Sequence, residues 1–63
     1  MKNGKEIMYA SEDGNYRVTY DMWDLGLKYR VQMKDEYGHW KTIHWTDSAL
    51  DALTVMKKSA REW

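Results

Sequence analysis

Apolar and polar residues alternate with a period of two through the middle of the chain. Tyr16, Val18, Tyr20 and Met22 interleave with Arg17, Thr19 and Asp21. Leu25, Leu27, Tyr29, Val31 and Met33 interleave with Gly26, Lys28, Arg30 and Gln32. Such alternation predicts strands with one buried and one wet face. Gly14, Gly26 and Gly38 fall twelve residues apart, each in a polar cluster that also holds Asp. These residue types accept the positive φ angles of hairpin turns, so the spacing reads as strand plus turn in a meander. Asp13, Asp24, Asp35 and Glu36 are expected as turn formers. A further strand is expected over 6–10, and another from Trp40 to Trp45. In the latter, Ile43 and Trp45 are placed inside, because Trp45 leads into the next element.

After Trp45 the period changes. Ala49, Leu53, Met56, Ala60 and Trp63 fall on one stripe of an α-helix, widened by Leu50 and Ala52. Thr46, Asp47 or Ser48 can cap its start, Asp47 and Asp51 suit its positive end, and Lys57, Lys58 and Arg61 suit its negative end. The expected fold is α+β: a three- to four-stranded antiparallel β-meander with one C-terminal amphipathic helix packed on one face. The sheet should occupy about residues 6–45 and the helix about 47–61 of a single domain covering 1–63, with residues 1–5 frayed or disordered. Tyr29, Val31, Ile43, Trp45, Leu53 and Met56 form the expected shared core.

Composition narrows the function. Sixty-three residues suffice for one domain, and a chain this short buries only ~60% of its unfolded surface. Cysteine is absent, which excludes disulfides, thiolate catalysis and zinc–thiolate sites. Four Trp and five Tyr are left to supply stabilisation by aromatic packing. No apolar run approaches the ~20 residues of a membrane span, and Met1 to Glu6 are polar. A soluble cytoplasmic protein without membrane association is expected. His39 and His44, five apart, should point to opposite faces of one strand, which disfavours a metal site. Neither is paired with a nucleophile at catalytic spacing. An enzyme is not expected, nor a cofactor.

Strand parity gives the wet face of the sheet a basic character. Arg17, Lys28, Arg30, Lys34, Trp40 and His44 are its candidate binding residues, set beside Thr19, Gln32, Thr42 and the single acid Asp21. The same lysines and arginines would serve a merely solvated face. As a binding platform, the exposed indole and the arginines match the residue types enriched at interface centres.

The stretch Lys28-Tyr29-Arg30-Val31-Gln32-Met33-Lys34-Asp35-Glu36-Tyr37-Gly38-His39-Trp40, followed by Trp45-Thr46-Asp47-Ser48-Ala49-Leu50, resembles the AP2-like three-stranded arm-binding domain of tyrosine-family integrases. Those domains show a Tyr-Arg-Val-type strand, an Asp/Gly turn and an aromatic-Thr pair opening a helix. The resemblance spans residues 17 to 62 and implies a sheet that lies in the DNA major groove. The balanced charge, ten basic against ten acidic residues, does not suit bulk nucleic-acid binding. A protein-interaction module that docks on and modulates a larger protein is therefore the first expectation. By analogy of size and architecture it would be an accessory or inhibitor protein of a phage or mobile element. A nucleic-acid-binding domain using the basic sheet face is the alternative, and a homodimer is compatible with both.

Overall fold

A computed structural model describes residues 5–62, Lys5 by its backbone alone. Four strands, β1 (Lys5–Ala10), β2 (Tyr16–Asp21), β3 (Tyr29–Lys34) and β4 (Trp40–Thr46), precede one helix, α1 (Ala49–Ala60). The strands form one antiparallel sheet in the order β1-β2-β3-β4. The helix lies across β2, β3 and β4 on one side, which makes the fold α+β in two layers. The expected fraying of residues 1–5 lies outside the described residues, except that β1 already begins at Lys5.

The turns explain the register. In the β1–β2 turn the Asp13 carboxylate accepts from the Asn15 backbone and from the Ser11 hydroxyl, and Gly14 takes φ 77°. In the β3–β4 turn Asp35 Oδ1 accepts from Tyr37 N at 2.8 Å and His39 N at 2.9 Å, and Gly38 takes φ 82°. These are the self-bonding Asp and left-handed Gly of tight turns. Gly26 differs: it keeps an ordinary backbone, and its N–H donates to Asp24 Oδ1 at 2.9 Å. Asp21 likewise accepts from Trp23 N at 3.0 Å. These carboxylates fold residues 22–28 into a loop, so the strand expected from Leu25 starts only at Tyr29. Leu25 and Leu27, expected inside, are exposed, and Lys28 sits before the strand.

The core is small. Val18 and Val31 face each other across β2 and β3 and are fully buried, together with Ala52 and Met56 of the helix. Tyr16, Tyr29, Leu53 and Val55 pack around them, and Tyr20 meets Tyr29 with ring centroids 5.1 Å apart. Ala52 has no side chain beyond Cβ, which lets the helix approach the sheet closely. The buried stripe is therefore centred on Ala52 and Met56 and includes Val55. Leu50, expected to widen it, points to solvent, and Trp63 lies outside the described residues. Of the three offered caps Ser48 is the one used: it is extended at φ −117° and ψ 122°, and its side chain accepts from Asp51 N. The helix ends on Arg61 in the left-handed region, φ 59° and ψ 38°. Arg61 and Glu62 return their N–H groups to Lys57 and Lys58 carbonyls.

The placement of Ile43 and Trp45 in the core is overturned. Gln32 pairs with Thr42 and Val31 with His44, so Ile43 is an extra residue, a β-bulge. The bulge reverses the parity of every later residue in β4. His44 and Thr46 turn to the helix side, where Thr46 is buried, and Trp45 turns to the opposite face beside Arg30. Ile43 and Trp45 are both exposed.

Candidate interaction surface

The face of the sheet away from the helix is built from alternate residues of four strands. Because Val18 and Val31 point to the helix, Arg17, Thr19 and Asp21 of β2 and Arg30, Gln32 and Lys34 of β3 point outward. From β4 come Trp40, Thr42 and, past the bulge, Trp45. From β1 come Ile7 and Ala10, which pair with Thr19 and Arg17.

One end of this face is basic and aromatic. The Arg17 guanidinium carbon lies 4.0 Å from the Trp40 ring centroid, and Lys34 Nζ lies 5.2 Å from it. A cation over an indole is drawn to the negative ring face. Arg17 Nε donates to Gln32 Oε1 at 2.7 Å, and Gln32 Nε2 donates to Thr42 Oγ1 at 3.2 Å. This chain of bonds across β2, β3 and β4 fixes the arginine over the ring. Partial burial lowers the pKa of the Arg17 guanidinium, the direction desolvation gives a cation.

The other end combines one ion-paired cation with exposed apolar side chains. Arg30 donates from Nη2 to Asp24 at 3.0 Å and from Nη1 to Asp21 at 3.3 Å. Two carboxylates thus hold one guanidinium, and the loop that supplies Asp24 is tied to the sheet. Arg30 Nε is buried there with no hydrogen-bond acceptor among the described residues. The Asp24 carboxyl is held below the usual range, first by the Gly26 N–H and further by Arg30. The register sets Ile7, Thr19, Arg30 and Trp45 in one row across the sheet. Ile7 is 61% exposed and Trp45 51% exposed. In the adjoining loop Trp23 is 71% and Leu25 97% exposed.

Of the six residues expected to bind, Arg17, Lys34 and Trp40 come together as one cluster. Arg30 shares their face but is neutralised. Lys28 lies in the loop before the strand. His44 is on the opposite face, where its Nε2 meets Asp51 Oδ2 at 2.9 Å, because the bulge turned it there. Sequence parity missed Ile7, Trp23 and Trp45 as surface residues. The signal available for Trp23 was its position between Asp21 and Asp24, two turn-forming acids. Among the described residues no three His, Asp or Glu side chains gather as a metal would need, and no helix is long and apolar enough to cross a membrane.

Comparison of the chain with protein-family profiles, with curated proteins and with solved structures finds no match.

Proposed function

We propose that this chain is a non-enzymatic protein-interaction module that docks on a larger protein through the outer face of its sheet and modulates it. The observation that carries this reading is the row Ile7, Thr19, Arg30, Trp45. It holds two large exposed apolar side chains about 14 Å apart, three strand spacings, around an arginine whose charge Asp21 and Asp24 already neutralise. Single exposed apolar residues are ordinary, but here Ile7 and Trp45 share one face with Trp23 and Leu25 exposed in the loop that Asp24 ties to Arg30, and a group of large exposed apolar side chains is the usual mark of an interface. Trp and Arg are also the residue types that dominate binding energy at interface centres. The charge pattern supports a protein over nucleic acid. Arg17, Lys34 and Arg30 are opposed on the same face by Asp21 and Asp24, which would repel a phosphate backbone. The cysteine-free sequence supports a reducing, cytoplasmic setting.

A photo-crosslinking residue placed at Thr19, inside the row, tests this against one placed at Thr54 on the helix exterior. In nuclease-treated extract the Thr19 position should give a discrete protein adduct that disappears in Trp45→Ser. Adducts only from Thr54, adducts only to a second copy of the chain, or adducts to nucleic acid in untreated extract would overturn the assignment.

A further inference from the structure

We propose that Arg17 and Lys34, gathered at Trp40, form a receiving site for a carboxylate of the protein partner, so that the partner presents Asp or Glu beside an apolar contact. This rests on the docking reading above and adds the chemistry of what docks.

The two arginines of the outer face are treated differently by the fold. Arg30 has its carboxylates built in, from Asp21 and Asp24. Arg17 and Lys34 have none: among the described residues no carboxylate pairs with either. Both cations instead converge on one indole, at 4.0 Å and 5.2 Å from its centroid. Arg17 is held there through Nε by Gln32, which leaves its two Nη groups to a ligand. A guanidinium fork fixed in orientation and accompanied by a flexible ammonium suits a planar, two-oxygen anion. Holding the two cations near each other without a counter-ion is unfavourable, and the half-buried Arg17 carries a desolvation cost as well. An incoming carboxylate would relieve both. The alternative anion is a nucleic-acid phosphate. A duplex presents a line of charges rather than one, and the acids Asp21 and Asp24 on the same face oppose such a line.

Selection of a random twelve-residue peptide library on the full chain tests the site, run in parallel on Lys34→Gln and on Arg17→Gln/Lys34→Gln. Lys34 is exposed at the end of its strand, so the single variant should keep the parent melting temperature. Peptides selected by the parent should contain Asp and Glu at three or more times their library frequency, together with apolar residues. The enrichment should fall in the single variant and vanish in the double. Selected peptides that are apolar, need Trp45 and lack acidic enrichment would sink the carboxylate site and leave docking standing. Failure to select any peptide above background would count against both readings. A twenty-base-pair duplex bound more tightly than the best peptide, and released by the double variant, would reassign the cluster to phosphate.

Discussion

His44 Nε2 and Asp51 Oδ2 lie 2.9 Å apart, joining the bulged edge strand to the first turn of the helix. The His44 bond is the largest influence that holds the Asp51 carboxyl below its ordinary range, followed by a bond from Thr46, with the charges of His44 and Lys58 adding to it. Asp51 also donates its backbone N–H to Ser48 and sits near the positive end of the helix.

A carboxyl whose folded pKa is depressed stabilises the fold above its unfolded pKa, and that stability is lost as pH falls through the folded value. Asp51→Asn should therefore melt below the parent at neutral pH. The gap should begin to narrow as pH falls below about 4, the ordinary carboxylate pKa, and close only below the depressed folded value, where the parent carboxyl in the fold is itself protonated. Asp13 and Asp24 are held down in the same way, chiefly by the Ser11 hydroxyl and the Gly26 N–H, so the parent should lose stability in acid at three places. Thermal melts from pH 2 to 7 decide it: a gap that stays constant across that range excludes the linkage.

The seating of the helix on the sheet can be read by substitution. Met56→Ala removes a buried side chain and should destabilise by about 2–5 kcal/mol. Ala52→Leu overfills the point of closest approach and should cost about 1–3 kcal/mol. Leu50→Ala and Ile43→Ala, both at exposed positions, should stay within about 0.5 kcal/mol of the parent. Urea unfolding of the four variants would reveal a different register if Ile43→Ala proved the costliest.

Arg30 ties the β2–β3 loop to the sheet through two carboxylates. Arg30→Met should destabilise by about 1.5–3 kcal/mol, the range for a hydrogen bond to a charged group, because Asp21 is left largely buried without its counter-ion. Amide exchange at Trp23 and Gly26, whose N–H groups depend on the same two carboxylates, should quicken more than exchange at Val18. Equal quickening everywhere would mean global destabilisation without a loop clamp.

The helix stops on a non-glycine residue in the left-handed region. Arg61→Gly removes the clash of Cβ with the backbone and should raise stability by about 1 kcal/mol. A lower Tm in this variant would show that the Arg61 side chain contributes more than its backbone conformation costs.

Most of the fold was legible in the residues because the local signals are strong and agree. Tyr16, Val18, Tyr29 and Val31 alternate cleanly, Asp13-Gly14 and Asp35 with Gly38 are turn formers by their own hydrogen bonding, and Ser48 caps the helix. The errors came from two places where backbone bonding interrupts a periodicity. At Ile43 one extra residue reverses the parity of β4, and nothing in Trp40 to Trp45 announces it. At Leu25 and Leu27 the alternation continues in letters, but Asp21 and Asp24 capture the chain as a loop. The candidate site was half legible for the same reason. Arg17 and Lys34 lie on β2 and β3, which carry no extra residue, and Trp40 precedes the bulge in β4, so all three stand where parity puts them, whereas His44 follows the bulge and does not. The pairing of Arg30 with Asp24 joins a strand to a loop and has no signature at fixed spacing.

Besides the bulge at Ile43 in β4, the other outermost strand carries one too: in β1 Ile7 pairs with Thr19 and Tyr9 with Val18, which leaves Met8 as an extra residue. An open sheet border offers a ladder of unpaired amides and carbonyls that a second chain can extend, the first step toward fibrillar stacking. Exposed Ile7, Met8 and Tyr9 on one border and Ile43 on the other would favour that growth if the strands were straight. An extra residue in each border strand bends it and breaks the spacing of the ladder, so an incoming strand cannot match it along its length. The protein can thus leave sticky side chains in water at both margins and still resist polymerising through them.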